Sequence, residues 1–565
     1  MHSPHIHSIS IPKTALGLPW HGLPARGLGI WTRALIRTSQ NHGLATRATQ
    51  SAIALFSFIF AFTLAFVPTA RANVTLAPLF RDHAVFQRDK PLPIWGRADV
   101  GEHVTVTFRG QTISTTATAD AGATAGRWIV YLAPVSASTQ PAELTVTGKN
   151  TVRVTDILTG EVWLCSGQSN MERKVSQTLN ADQEIATASN PLIRVITIKH
   201  RESDTPVTDA ETTGWLLPSP QTAPDFSAVG YYFARDLQPR LGVPIGIIHS
   251  SWGGTQIESW ISAATLNANP AFAVVAQRWQ KLLADYPASK AAYDKTMSAR
   301  AAEQAAAKAK NEKPKTYPYI RPPAGHGHQD TPSGLFNGMI NPLMPFALRG
   351  VLWYQGESNA IRPNEYHALF AAMITQWRSN LGQGDIPFFW VQLPNYKNNN
   401  NANATDWASL REAQTQTLTL PATAQAVTID IGEPDNIHPL NKQEVARRLA
   451  LIARALVYGA TVDYSGPILA TAKREGAAMR VSFAKGADGL TARSKPLQSF
   501  ELAGADKIFH PATAQIDSAD NTILVTSKAV PDPVAVRYAW RNSPEANLFN
   551  SAGLPAAPFR SDDWN

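Results

Sequence analysis

One cysteine, Cys165, serves a chain of 565 residues. No internal disulfide can form, so folding must rest on an apolar core. Cys165 closes an apolar run and reads as a small buried residue rather than a nucleophile. Charge is sparse too: 17% of residues are charged and 44% apolar, a globular balance that excludes disorder. Acidic residues are missing altogether from residues 1–72, which carry Lys13, Arg26, Arg33, Arg37, Arg47 and Arg71. The apolar run inside that segment, Ala52–Val67, is 16 residues long, and about 20 are needed to cross a bilayer. No internal repeat is found, which excludes solenoids and propellers.

Basic residues, a short apolar stretch and Pro68-Thr69-Ala70-Arg71-Ala72 together read as a secretory signal peptide over 1–72. An uncleaved anchor is the alternative, and the long basic region fits a start downstream of Met1. Cleavage takes the formal charge from +8 to about +2, so the basic balance belongs to the leader and argues for no nucleic-acid partner. A secreted or periplasmic protein without a membrane partner after cleavage is expected. The sequence assigns no oligomeric state.

Length suggests about two to four domains. Residues 73–155 read as short strands: Pro91–Gly96, His103–Phe108, Trp128–Leu132 and Glu143–Thr147, with alternating polarity and turn residues between them. This predicts an N-terminal β-sandwich-like region. Over 156–462, apolar runs alternate with helical stretches. The runs are Glu161–Cys165, Pro244–His249, Gly350–Tyr354, Pro387–Gln392 and Ala426–Ile431. Continuous apolar runs fit strands of a parallel sheet buried on both faces. A helix is predicted over Asn364–Leu381, capped by Asn364 and stopped by Gly382, and another over Lys442–Leu451. Residues 270–320 read as inserted helices, and strand-like segments return over 463–565. The fold class is α/β with a parallel sheet, and ligands should gather at the C-terminal ends of its strands.

Ser169, in Gly167-Gln168-Ser169-Asn170-Met171, lies just past the first run. A strand-end loop exposes a hydroxyl, but a serine is a weak nucleophile until a base takes its proton. Its bland reading is a helix cap. Met171 stands where the second glycine of Gly-x-Ser-x-Gly would be, which argues against an α/β-hydrolase elbow. After the fifth run come Asp435 and His438, three residues apart and followed by Pro439. On a tight turn the carboxylate could orient the imidazole and leave one nitrogen free to take the serine proton. Asp430 is an alternative carboxylate. Two further segments could hold an oxyanion: Trp252-Gly253-Gly254-Thr255 with backbone amides, and Trp353-Tyr354-Gln355-Gly356-Glu357-Ser358-Asn359 with side-chain amides. All four segments follow successive strand-like runs, so one sheet edge should gather them.

These motifs, together with Ala84–Gly96, resemble the SGNH hydrolase superfamily, specifically its sialate O-acetylesterase-like branch, over about residues 73–565. The resemblance implies a three-layer, flavodoxin-like core flanked by β-sandwich-like regions. It implies Ser169 as nucleophile, His438 as base and Asp435 as its partner. The implied oxyanion hole draws on the Ser169 backbone, Gly253 or Gly254, and Gln355 or Asn359. The third block departs from the superfamily's Gly-x-Asn-Asp, which leaves Gln355 and Asn359 both open as donors. Similar enzymes need no metal or other cofactor. Gln168, Trp252 and Glu357 are candidate substrate contacts, with Glu357 alternatively tying strand-end loops together. Trp163, Trp215, Trp260, Trp353 and Trp407 are further aromatic surfaces near the strand ends. Gly325-His326-Gly327-His328-Gln329-Asp330 reads as a loop beside the site rather than a metal centre.

The expected activity is removal of acetyl groups from an acetylated carbohydrate through a serine acyl-enzyme. The scarcity of arginine around the site segments favours neutral plant-wall oligosaccharides such as xyloglucan or xylan. The alternatives are a sialate O-acetylesterase and a non-catalytic carbohydrate-binding protein; a lipase or protease fits less well, since no long apolar lid is evident.

Overall fold

The computed structural model describes residues 73–564 apart from 121–124, 398–404 and 494–495, so the expected leader lies outside the described residues. Alternation of apolar and polar residues builds the first strands. They are β1 (Thr75–Leu76), β2 (Val85–Gln87), β3 (Leu92–Ala98), β4 (His103–Phe108), β5 (Gln111–Thr116), β6 (Gly126–Leu132) and β7 (Ser138–Thr147). Val104, Val106 and Phe108 of β4 point inward while the threonines between them reach toward water. β1, β3 and β6 form an antiparallel three-stranded sheet; β5, β4 and β7 form an antiparallel second layer.

The next strand, β8 (Thr151–Gly167), is 17 residues long and serves two neighbourhoods. Its first part pairs with β7 and β2, and its second part pairs in parallel with strands of the α/β region. The boundary expected at 155/156 therefore falls inside one continuous strand. After it come β9 (Ile193–Ile198), β10 (Thr212–Leu216), β11 (Ile245–Ser251), β12 (Gly350–Tyr354), β13 (Phe388–Val391) and β14 (Thr423–Ala426). They lie in the order β10-β9-β11-β8-β12-β13-β14, all parallel except β10 at the edge. Every residue of β11 and β12 is buried, as continuous apolar runs require.

Besides two short helices at Ala181–Ala186 and Ala263–Ala268, the helices are α1 (Ser169–Glu172), α2 (Ala228–Leu241), α3 (Ala273–Ala309), α4 (Pro363–Leu381), α5 (Asp406–Gln416) and α6 (Lys442–Leu456). α4 starts at Pro363, whose missing N–H suits a first helical position, and Asn364 is not its cap; Gly382 ends it in the left-handed region. α6 runs five residues past its expected end, with the Asn441 side chain capping Glu444 N. The inserted helices are mainly one long helix, α3, of 37 residues, in which only Val275 is buried. The fifth expected run is displaced: the strand is Thr423–Ala426, while Val427 and Ile429 pack instead against Ala557 of the C-terminal region. That region holds two four-stranded antiparallel sheets around a separate apolar cluster. β9 and β10 were not anticipated.

β8 is locked to its surroundings by charge as well as packing. The fully buried Glu161 carboxylate accepts from Gln87 Nε2 at 3.2 Å, Arg88 Nε at 2.5 Å and Arg349 Nε at 2.5 Å. Glu161→Ala removes the common acceptor of two guanidiniums. We expect a loss of about 3 kcal/mol, at the low end for a broken buried pair because both arginines keep some contact with water. Urea unfolding of wild type and variant measures it; equal midpoints would show that the carboxylate contributes nothing net.

Candidate active site

The path from β8 into α1 explains why Ser169, half-buried, reaches the surface between the buried Gln168 and Asn170. Gly167 has φ 135°, and a Cβ there would sit 2.2 Å from the Tyr354 carbonyl oxygen, so only glycine fits. Gln168 N donates to that same oxygen at 2.9 Å. The chain turns sharply and Ser169 becomes the first residue of a one-turn helix. His438 Nε2 lies 2.9 Å from Ser169 Oγ, the contact a nucleophile and its base require.

His438 sits on the loop before α6, and that loop is fastened from several sides. Asn436 Oδ1 accepts from His438 N at 3.0 Å, and Glu433 accepts from Asn436 Nδ2 at 2.9 Å and Leu440 N at 2.7 Å. Asn170, next to Ser169, donates Nδ2 to the Ile437 carbonyl at 3.0 Å. The same Nδ2 donates to Glu357 Oε1 at 2.5 Å, and Asn170 Oδ1 accepts from Lys442 Nζ at 2.6 Å. A neutral amide thus bridges a buried carboxyl and a buried amine. Burial pushes the Glu357 carboxyl up, opposed by Asn170 and Lys442; burial lowers the Lys442 amine to about 7, opposed by Glu357. Glu357 thus ties the loops together through Asn170.

Burial, with the Arg173 and Lys442 charges, lowers the His438 imidazole to about 4, and Glu172 pulls the other way. The ring is neutral at pH 7, the form that accepts a proton. The structure does not join Asp435 to His438. Asp435 Oδ1 and Oδ2 accept from Lys397 Nζ at 2.9 and 3.2 Å, and its side chain is 74% exposed. The tight turn points the carboxylate outward, away from the ring it was expected to orient. Asp430 is no substitute, since Arg448 holds it at 2.6 and 2.8 Å.

The amide candidates separate cleanly. Gln355 Nε2 spends both hydrogens on Thr255 O at 3.1 Å and Asn359 Oδ1 at 2.7 Å. Asn359 Nδ2 spends one on Glu258 Oε2 at 2.9 Å, leaving the other. Gly253 N donates to Glu172 Oε2 at 2.6 Å, so of the two glycines only Gly254 keeps an uncommitted amide among the described residues. The Ser169 amide, at the start of α1, is uncommitted as well. Gln168, buried, accepts from Gly356 N at 3.3 Å and Ser358 N at 3.4 Å and so braces the third loop.

Trp252 is half-buried and stacks on His200 at 4.2 Å with planes 4° apart. Trp163, Trp215, Trp260, Trp353 and Trp407 are at most 2% exposed, so they belong to the core and cannot meet a sugar. Cys165 is wholly buried and burial raises its thiol, which removes it as a nucleophile. The 325–330 loop does reach the site, through Gln329 Nε2 donating to Gly253 O at 2.8 Å. Among the described residues no group of three or more His, Cys, Asp or Glu is placed to hold a metal ion, and no helix is long and apolar enough to cross a membrane. Reading the sequence missed Asn170, Glu172, Arg173 and Lys442. The first three follow Ser169 directly, and their places on one helical turn were the available signal; Lys442 had none.

Three outcomes are expected. Ser169→Ala and His438→Ala should each lower kcat by at least about 10² to 10⁴, measured with 4-nitrophenyl acetate. Asp435→Asn should cost less than about tenfold, because a carboxylate that does not touch the base has little orienting work to lose; a drop equal to that of His438→Ala would show that it swings onto the ring. The kcat/KM profile should stay level from pH 7 to about 5 and fall as His438 protonates near pH 4; a fall centred on 6.5 would contradict the buried ring described here.

Comparison with known proteins agrees with this geometry. A family described as "Carbohydrate esterase, sialic acid-specific acetylesterase" matches residues 159–292 and 332–453. The sialate O-acetylesterase of Mus musculus is 32% identical over 512 residues, covering 82% of this chain and 90% of that protein. That of Homo sapiens is 30% identical over 514 residues, covering 82% and 88%. The crystal structure of a carbohydrate acetylesterase from Xanthomonas citri superposes with a TM-score of 0.72 at 39% identity, covering 87% of this chain and 100% of that one. The similarity runs through β8, the glycine turn and the His438 loop, so this chain belongs to the sialic acid-specific acetylesterase family of carbohydrate esterases and is an acetylesterase, a carboxylic ester hydrolase.

Proposed function

We propose that the substrate is an acetylated neutral oligosaccharide of the plant cell wall, of xyloglucan or xylan type, and that the enzyme acts as a secreted or periplasmic protein. The 2.9 Å contact of Ser169 with His438 carries the chemistry. Ser169 Oγ attacks the acetyl carbonyl while His438 takes its proton. The tetrahedral oxyanion collapses, and His438 returns the proton to the departing sugar oxygen. Water, deprotonated by His438, then cleaves the acetyl-serine and releases acetate. With β9, the added parallel strand outside β11, set aside, the order β11-β8-β12-β13-β14 runs second-first-third-fourth-fifth along the chain, as in flavodoxin-like sheets, which supports the SGNH assignment of the core.

Charge around the nucleophile supports a neutral sugar. Burial raises the Glu172 carboxyl, but His200, the Gly253 amide and His249 outweigh it and hold the group below its ordinary value. An ionised carboxylate three residues from Ser169 repels an acidic substrate. Nearby cations are engaged: Arg321 with Asp330, Arg362 with Glu258 and Lys397 with Asp435. One observation favours the sialate reading. Arg173 lies close enough to lower His438, and its Nε is buried without a partner among the described residues, so a sialate carboxylate could find a cation there. The signal-peptide pattern of residues 1–72 supports export. Acetate release from matched panels of acetylated xyloglucan, acetylated xylan and O-acetyl sialosides tests the substrate. A higher kcat/KM on the plant oligosaccharides is expected, and a preference for sialosides that Arg173→Gln abolishes would overturn it.

A further inference from the structure

The turn Trp252–Thr255 lies against the nucleophile: a Cβ on Gly253 would be 3.2 Å from Ser169 Cβ. Its polar groups are claimed almost one by one. Thr255 Oγ1 donates to Trp252 O at 2.8 Å, and Gly253 N donates to Glu172 Oε2 at 2.6 Å, so the first peptide is held at both ends. Gln329 Nε2 donates to Gly253 O at 2.8 Å. Arg321 Nη2 donates to Gly254 O at 2.9 Å and is itself held by Asp330 Oδ2 at 2.7 Å. The Gly254 N–H alone is left over on the central peptide, and it donates to nothing among the described residues.

A trans peptide is planar, with its C=O and N–H on opposite sides. A donor seated on Gly253 O therefore fixes the direction of the Gly254 N–H, on the face away from Gln329. Donation to the carbonyl also polarises the peptide and strengthens its N–H as a donor. The central peptide would otherwise turn readily: Gly254 has φ +75°, Gly253 has no side chain, and of that peptide's two polar groups only the carbonyl is held, by Gln329. Both donors come from outside the recognised core of the family, since Arg321 and Gln329 lie in the stretch between the matched segments, 159–292 and 332–453.

We propose that Gln329 is a positioning residue for the oxyanion hole, aiming the Gly254 amide at the acetyl oxygen, with Arg321 bracing the next peptide. The inference rests on Ser169 being the nucleophile. The segment after α3 is then part of the catalytic apparatus rather than a decoration. The benefit is realised only as negative charge develops on the acetyl oxygen, so it belongs to kcat and not to KM.

The test compares Gln329→Leu, which removes the donor at similar size, with Gln329→Lys, which keeps an N–H donor. Leu is expected to lower kcat by roughly tenfold, less than the loss of a direct oxyanion donor, with KM changed under about twofold. The inhibition constant of phenylboronic acid, which forms a tetrahedral adduct on the serine, should rise in the same proportion, and Lys should recover most of both. If Leu does not fold by circular dichroism, the isosteric Gln329→Glu is read in its place, with the same loss expected. A folded variant with unchanged kcat and boronate affinity, or one altered in KM alone, overturns the proposal. Retained activity in Ser169→Ala would instead sink the nucleophile assignment, so the two failures are told apart.

Discussion

Everything at the site depends on β8 being one unbroken strand. Its first part is bound into the N-terminal β layer and its second lies between β11 and β12 in the parallel sheet. Gly167, its last residue, is where the chain passes so close to Tyr354 that no side chain is admitted. The serine is thus delivered by a rod anchored along its whole length. The Glu161 carboxylate between two arginines pins that rod where its two neighbourhoods meet. Precision at a hydroxyl comes from rigidity well behind it.

The chemistry in front of the rod is handled with little net charge. Asn170 spends a neutral amide on Glu357, Lys442 and the Ile437 carbonyl, so the Ser169 helix, the third-strand loop and the His438 loop meet in one residue. Burial pushes the Glu357 carboxyl up and the Lys442 amine down, each toward its neutral form, and the Asn170 amide sits between them. The same low-dielectric surroundings keep the His438 imidazole neutral and ready to accept a proton. Catalytic readiness and polar satisfaction therefore have one origin, the exclusion of water from the strand ends.

The sheet was legible because parallel strands buried on both faces write themselves as apolar runs; β11, β12 and β13 fall within a residue or two of them. β14 slipped because apolarity alone cannot tell a strand from a segment packed on another region, which is what Val427 and Ile429 are. β9 was hidden by Arg194 and Thr197 among its apolar residues. Ser169 was readable because it stands just past the end of a strand, and His438 because Pro439 keeps it in the loop ahead of a helix. Asp435 was not, because spacing sets only how far a carboxylate reaches, and the turn sends this one to Lys397. Which of Gly253 and Gly254, and which of Gln355 and Asn359, keeps a hydrogen to give depends on what is already spent, and partners distant in sequence, such as Glu172 and Thr255, hold that information.

The solitary cysteine has a practical meaning. Cys165 is walled into the central strand with its thiol held in the protonated form, and no second sulfhydryl exists for it to meet. The fold is thus indifferent to thiol–disulfide poise: it asks for no disulfide oxidase or disulfide isomerase, offers no accessible thiol to alkylating reagents, and is as well supported by a reducing medium as by an oxidising one.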